Sequence, residues 1–141
     1  MRIRRKKHLK ERLENVKDYV IVPPRDIVNV LEAIKDKQYF DYEKLFGNTN
    51  PVAVEIGCGK GKFACEYAKA NPDINMIAVE KSGNVIVEAC ETAKDMGLTN
   101  LKFIKCGAEY IEKYIKPKSV SRIFLNFSCP FPKKASNLYI G

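Results

Sequence analysis

Residues 52–61 read Val-Ala-Val-Glu-Ile-Gly-Cys-Gly-Lys-Gly, an apolar segment that runs into three glycines at alternating positions. The apolar segment predicts a short buried strand, and the pattern of residues 62–70 predicts a helix. Glycines at positions 57, 59 and 61 allow the backbone to turn tightly and to approach a ligand closely. The stretch therefore predicts a strand, a tight loop and a helix, with a binding site at the loop.

Strand-like and helix-like segments alternate along the rest of the chain. Four short strands are predicted at 52–56, 76–80, 101–106 and 121–127, with three helices between them. This alternation is typical of an α/β fold with a parallel sheet covered by helices, and right-handed crossovers give the strand order 3-2-1-4. Since only residues 128–141 follow the fourth strand, we expect the sheet to be incomplete on its C-terminal side. A homodimer could cover the open edge.

The balance of charges favours a polyanionic partner. The chain has 25 Lys and Arg against 17 Asp and Glu, a formal net charge of +8. Residues 1–25 are interpreted as a basic arm that lies on nucleic acid, and residues 26–141 as the folded domain. A solvated tail that only aids solubility is the alternative interpretation. The cations that suggest the arm are Arg2, Arg4, Arg5, Lys6, Lys7, Lys10 and Arg12.

Composition disfavours several classes of protein. The sequence has no run of 18 apolar residues and no secretory signal, which predicts a soluble cytoplasmic protein with no membrane partner. Its five cysteines form no CxxC pair, and its single histidine is His8 in the basic arm. Neither a metal site nor a disulfide scaffold is expected. A serine or cysteine nucleophile has no obvious base, so a bound cofactor is expected to supply the reactive group.

A carboxylate ends the second predicted strand. Glu80 lies 19 residues after Gly61, and an acid about 20 residues beyond a glycine loop accepts hydrogen bonds from ribose hydroxyls. The spacing predicts a ligand that contains a nucleoside. A dinucleotide site would require its third glycine at position 62, where the chain has Lys62. Two plainer interpretations remain: the glycines only relieve strain in a turn, and Glu80 is only solvated.

A third motif follows the fourth strand. Residues 125–134 read LNFSCPFPKK, residues 55–63 read EIGCGKGKF, and residues 71–80 read NPDINMIAVE. In this order and spacing the motifs resemble the bacterial tRNA (guanine-N7-)-methyltransferases, a family with the Rossmann-like fold of class I S-adenosylmethionine-dependent enzymes. All class I methyltransferases share the glycine loop, whereas the last motif is specific to this family.

The resemblance implies transfer of a methyl group from S-adenosylmethionine to N7 of a guanine in tRNA. N7 carries a lone pair and needs no deprotonation, so catalysis rests on positioning and on stabilising the developing charge. Glu55 is expected to bind the amino group of the cofactor or to accept hydrogen bonds from the loop amides. The cofactor contacts implied by the resemblance are Glu55, Gly57, Gly59, Gly61, Glu80 and Gly107. The substrate contacts implied are Lys133 and Lys134, and the catalytic position is Cys129.

The chain departs from the family pattern at two acidic positions. The family usually has Asp where this chain has Cys129 and where it has Gly107. The family also continues beyond Lys134 with further strands and a guanine-recognition segment. The chain is therefore interpreted as a C-terminally truncated member whose activity is weak or lost. Two alternatives stay open: a non-catalytic module that binds the cofactor or RNA, and a class I methyltransferase with a different acceptor.

Overall fold

Five parallel strands form the sheet of the computed structural model, which describes residues 6–24 and 28–125. All four pairings between neighbouring strands are parallel. Along the sheet the strands lie in the order β1-β4-β3-β2-β5. The strands are β1 (Val20–Ile21), β2 (Val52–Ile56), β3 (Asn75–Glu80), β4 (Leu101–Lys105) and β5 (Arg122–Leu125).

The predicted α/β fold is confirmed, and the strand order differs from the prediction by one added strand. The four predicted strands correspond to β2, β3, β4 and β5 and have the predicted 3-2-1-4 arrangement. The short strand β1 was not predicted, because two residues after a basic segment carry no periodicity. It joins the sheet beside β4, where the Phe103 N–H donates to the Tyr19 carbonyl at 2.7 Å. Positions 126 and 127 of the fourth predicted strand lie outside the described residues.

Helices cover both faces of the sheet. The predicted helix 62–70 is confirmed, and the next helix ends at Asp95, two residues before Gly97, which has a φ of 67°. Asn29 caps the helix that follows the first loop, because its side chain accepts a hydrogen bond from the Glu32 N–H. The helices are α1 (Leu9–Asn15), α2 (Val30–Ala33), α3 (Tyr42–Phe46), α4 (Lys62–Ala70), α5 (Gly83–Asp95) and α6 (Ile111–Tyr114), the last preceded by a 3₁₀ turn at Ala108–Tyr110.

The core consists of two apolar clusters, one on each face of the sheet. Alternate residues of a strand point to opposite faces, so Ala53 packs in the cluster beneath α4 and α5, whereas Val54 and Ile56 pack with Ile111 on the other face. All five residues of β2 are buried. This two-sided burial explains the nearly continuous apolar runs in the sequence and aligns the carboxyl ends of the strands at one edge.

The N-terminal segment is attached to the domain by ion pairs. The Arg12 guanidinium binds both carboxylate oxygens of Glu91 on α5, and Lys6 Nζ lies 2.7 Å from Glu88 Oε1. Val16, just after α1, is buried in the core cluster under α5. The many basic residues of this segment did not indicate, at the level of the sequence, that Val16 contributes to the core. Residues 1–5 of the predicted arm lie outside the described part of the chain.

Strand β5 is the outer strand on its side of the sheet among the described residues. Coverage of this edge by a second copy of the chain stays a prediction. No helix in the described ranges 6–24 and 28–125 is long and apolar enough to cross a lipid bilayer.

Candidate cofactor-binding site

The glycine loop between β2 and α4 is tied to the end of β3. The backbone N–H groups of Gly57 and Cys58 both donate to the Val79 carbonyl, at 2.8 and 2.9 Å. The φ angles of Gly57, Gly59 and Gly61 are 77°, 57° and 81°, values that residues with a side chain rarely adopt. The alternating glycines are therefore required by the conformation of the loop.

Gly61 also fits a close contact between two helices. A Cβ placed on Gly61 would lie 2.6 Å from the Cβ of Ala89 on α5, so any side chain at this position would collide with that helix. Around Gly59, in contrast, a Cβ would meet no atom within 4 Å. The lack of a side chain at Gly61 therefore allows the start of α4 to lie close to α5. Gly59 instead faces open space.

The Glu80 carboxylate bridges the loop and the start of α5. Its Oε1 accepts a hydrogen bond from the Gly59 N–H at 3.1 Å, and its Oε2 accepts one from the Ser82 N–H at 2.9 Å. A carboxylate offers about four acceptor positions, so about two remain for a ligand. Two predicted site residues far apart in sequence are thus in direct contact, and the carboxylate is held in a fixed orientation.

An apolar slot lies beside this carboxylate. The slot has a volume of about 30 Å³ and is lined by Ile56, Val79 and Ala108 together with Lys81 and Cys106. It adjoins a larger cavity of about 470 Å³, which shares Lys81 and Cys106 with it. A carboxylate next to an apolar wall at the carboxyl ends of parallel strands is suited to a sugar attached to a planar base.

The Glu55 carboxyl lies in a different cavity. Glu55 is only 6% exposed, and its Oε1 is buried without a hydrogen-bond partner in the described residues. Burial raises the pKa of this carboxyl to about 7. It lines a cavity of about 400 Å³ with Phe63, Phe124 and Leu125, near the end of β5. Glu55 and Glu80 therefore line different cavities. Glu55 lies within β2 and Glu80 ends β3, although these two strands are neighbours in the sheet.

The remaining predicted residues fall into two groups. Gly107 is buried directly after β4 and lines the larger cavity, with an ordinary φ of −74°. Cys129, Lys133 and Lys134 lie outside the described residues. The sequence reasoning missed Lys81, which lines both the slot and the larger cavity. Its position directly after a strand of a parallel sheet was the available signal.

The thiols near the site are protonated. Burial raises the pKa of Cys58, in the glycine loop, and raises that of Cys106 to about 12. A thiol needs its thiolate form to act as a nucleophile or to bind a metal. Within residues 6–24 and 28–125, no group of three or more His, Cys, Asp or Glu could hold a metal ion.

Comparison with known proteins identifies the family. Residues 49–138 match the model of a family described as "Putative methyltransferase". The chain is 37% identical over 134 residues to the tRNA (guanine-N(7)-)-methyltransferase of Bacillus cytotoxicus, which covers 95% of this chain and 57% of the relative. Its identity to the enzyme of the same name from a Geobacillus strain is 39%, covering 95% and 56%. The chain thus spans somewhat more than half the length of these curated relatives.

The fold is also shared with a solved structure. The 16S rRNA methyltransferase KamB superposes with a TM-score of 0.51 at 22% sequence identity, covering 70% of this chain and 46% of that one. At this identity the similarity concerns the fold, and it agrees with the class I methyltransferase architecture predicted from the sequence. Matched by the family model over 49–138, the chain belongs to this family of methyltransferases.

Proposed function

We propose that this protein binds S-adenosylmethionine and transfers its methyl group to N7 of a guanine in tRNA. The observation that carries the cofactor assignment is the Glu80 carboxylate, held by the Gly59 N–H beside an apolar slot. The tRNA assignment is supported by identities of 37% and 39% to curated enzymes with that name. A tRNA substrate would place the protein in the cytoplasm, as expected from the sequence.

The residues present fit the proposed cofactor. Glu80 has acceptor positions left for ribose hydroxyls, and the slot beside it provides apolar contacts for adenine. The unpartnered Oε1 of Glu55 needs a donor, which the amino group of the methionine portion would provide. S-adenosylmethionine supplies an electrophilic methyl group on a sulfonium. Gly57, Gly59 and Gly61 keep the loop backbone in the conformation that leaves room for this ligand.

The loop amides do not provide the alternative partner for Glu55. The N–H groups of Gly57 and Cys58 donate to the Val79 carbonyl, that of Gly59 donates to Glu80, and that of Gly61 donates to the Cys58 carbonyl. The structure records no hydrogen bond between Glu55 and the described part of the loop. This arrangement favours the ligand contact over the structural one.

Positioning dominates the proposed reaction. Guanine N7 attacks through its own lone pair, so no general base is required. The chain holds the cofactor by Glu55 and Glu80 and would hold the base by Lys133 and Lys134, assigned by resemblance. Cys129 stands where the family has Asp, and a neutral thiol would stabilise the cationic product ring less than a carboxylate does.

Two exposed lysines of the N-terminal segment are available for phosphate contacts. Lys7 and Lys10 form no ion pair with any described residue, whereas Lys6 and Arg12 are paired with Glu88 and Glu91 on α5. Cations that are free of acidic partners bind phosphates with less competition. We therefore assign the tRNA contacts of this segment to Lys7 and Lys10 first.

Nucleoside mass spectrometry tests the proposed activity. The chain is incubated with an unmodified tRNA transcript and S-adenosylmethionine that carries a deuterated methyl group, and the RNA is digested to nucleosides. We expect deuterated N7-methylguanosine with the wild-type chain, and a clearly smaller amount with Glu80→Ala when the cofactor concentration is close to the dissociation constant of the wild-type chain. Absence of this nucleoside with the wild-type chain, at tRNA and cofactor concentrations shown to saturate binding, contradicts the catalytic proposal.

A second candidate is a module that binds the cofactor without transferring the methyl group. The observation that favours it is Cys129, which replaces the acidic residue usual in the family. Calorimetric binding of S-adenosylmethionine together with no methylated nucleoside would support this candidate. Recovery of methyl transfer in Cys129→Asp would identify the missing carboxylate as the reason for the loss.

A further inference from the structure

The cavity of about 470 Å³ beside the cofactor slot contains two lysines. Lys81 and Lys105 line it together with Tyr110 and Tyr114, and the described residues around it include no Asp or Glu. The two lysine side chains form no ion pair or hydrogen bond with any residue in the ranges 6–24 and 28–125. Two positive charges without a described counterion therefore face one cavity, which suits an anionic ligand.

The side chain of Lys105 lies over Gly83, the first residue of α5. A Cβ placed on Gly83 would lie 3.0 Å from Lys105 Cε and 3.5 Å from Leu9 Cδ2, so the lysine stem and the start of α1 meet at this point. The backbone of Gly83 is outside the left-handed region and does not itself require glycine. The lack of a side chain at Gly83 instead leaves room for Lys105 between α5 and α1.

This contact connects the cavity with the N-terminal segment. Leu9 lies between Lys7 and Lys10 in the sequence, and these are the two cations assigned above to tRNA phosphates. At the other end of the cavity, Lys81 also lines the cofactor slot. The four lysines thus follow one path, here called the lysine track, from α1 across the start of α5 to the slot. The lysine track consists of Lys7, Lys10, Lys105 and Lys81.

We infer that Lys105 and Lys81 bind backbone phosphates of one nucleotide of the RNA chain, where the chain passes from the N-terminal segment to the cofactor slot. Lysine ammonium groups bind phosphates as point charges. The cavity volume lies in the range usual for sites of small ligands, and the two tyrosines offer aromatic surface to the attached base. This inference rests on the proposed tRNA substrate and adds a phosphate site to it.

The salt dependence of tRNA binding tests the inference. Filter binding is measured over a range of salt concentrations with S-adenosylhomocysteine at saturation, so that the cofactor site is filled. Lys81→Gln with Lys105→Gln keeps most of each stem and removes both charges. Each lost phosphate contact reduces the slope of log affinity against log salt concentration by about one, so we expect a reduction of about two.

Two matched double variants separate the site from a general effect of charge. Lys81→Arg with Lys105→Arg keeps both cations and should retain the slope of the wild type. Lys44→Gln with Lys69→Gln removes two exposed lysines outside the lysine track and should also leave the slope close to that of the wild type.

Calorimetry with S-adenosylhomocysteine separates the phosphate site from the cofactor site. Because Gln retains the stem of Lys81 beside the slot, we expect the affinity of the Gln variant of Lys81 and Lys105 for this ligand to stay within about 2-fold of the wild type. A 10-fold loss of this affinity with an unchanged salt slope would assign the two lysines to the cofactor and overturn the inference.

The remaining outcomes distinguish the inference from the proposed function. An unchanged slope in the folded Gln variant, or an equal reduction in the control, overturns the phosphate site and leaves the proposed function intact. A wild-type chain that binds S-adenosylhomocysteine but no tRNA overturns the proposed tRNA substrate, and the inference with it. A reduction of about two that is confined to the Gln variant of Lys81 and Lys105 supports the inference.

Discussion

Glu80 Oε1 accepts a hydrogen bond from the Gly59 backbone N–H at 3.1 Å, although the two residues are 21 positions apart. The contact joins the acid at the end of β3 to the glycine loop at the end of β2. Because Oε2 is also held, by the Ser82 N–H, the carboxylate cannot rotate freely. A ligand that binds Glu80 would therefore find it already oriented, at little further cost in side-chain entropy.

Replacement of Glu80 should weaken cofactor binding strongly. In Glu80→Ala both the ribose contact and the anchor of Gly59 are lost, so we expect the affinity for S-adenosylhomocysteine to fall about 10-fold or more. Calorimetry measures the change. Glu66→Ala removes an exposed carboxylate from α4 and should leave the affinity unaltered. Equal affinities of Glu80→Ala and wild type would exclude Glu80 from the site.

Two glycine replacements should separate backbone strain from a steric clash. Gly97→Ala introduces a side chain at a φ of 67° with no atom within 4 Å of the new Cβ, so only strain of about 1 kcal/mol is expected. Gly61→Ala adds the collision with Ala89 and should cost about 2 kcal/mol more. Urea denaturation gives both free energies of unfolding. Similar losses for the two variants would show that α5 moves to accommodate the methyl group.

Glu55 should give the protein an unusual dependence of stability on pH. Its pKa is raised from 4.5 to about 7 in the folded chain, so the folded state retains a proton that the unfolded state has lost between these values. The contribution of Glu55 to the free energy of unfolding is therefore greatest below about pH 4.5 and falls as the pH rises through about 7. After allowance for solvent screening we expect a loss of about 2 kcal/mol.

The comparison of wild type with Glu55→Gln isolates this effect from other titrating groups. Gln has nearly the same shape and no charge. As the pH rises from about 5 to about 8, the free energy of unfolding of the wild type should therefore fall relative to that of Glu55→Gln. Urea denaturation at both pH values measures it. Parallel pH profiles for the two proteins would mean that Glu55 ionises normally.

Lys7 and Lys10 should contribute to tRNA binding through phosphates. Each lost phosphate contact is expected to reduce the slope of log affinity against log salt concentration by about one, so Lys7→Ala with Lys10→Ala should reduce it by about two. Filter binding of tRNA over a range of salt concentrations gives the slopes. Lys44→Ala with Lys69→Ala removes two exposed lysines outside the N-terminal segment and serves as the control. A change of equal size in both double variants would indicate a general effect of net charge.

The sequence predicted the elements that depend on local pattern. The strand 52–56 and the helix 62–70 match the structure because apolar periodicity and the glycines at 57, 59 and 61 are local signals. The contact between Glu80 and the loop also follows from a general rule for parallel sheets, that carboxyl ends of adjacent strands share one edge. These parts of the site required no knowledge of the tertiary structure.

Features that depend on long-range packing were not predictable. Strand β1 has only two residues, and its pairing with β4 is recognisable only once the sheet exists. The ion pairs of Lys6 and Arg12 with α5 likewise depend on how α1 lies on the domain. The position of Lys105 over Gly83 follows from how α5 packs beside β4, which sequence spacing does not give.

The most direct test of the account is a crystal structure of the chain with S-adenosylhomocysteine. We predict that the ribose hydroxyls lie within hydrogen-bond distance of Glu80, with adenine against the apolar wall of Ile56, Val79 and Ala108 and with the amino group of the ligand near Glu55. Density for the ligand at another surface, or a ribose out of reach of Glu80, would contradict the central claim.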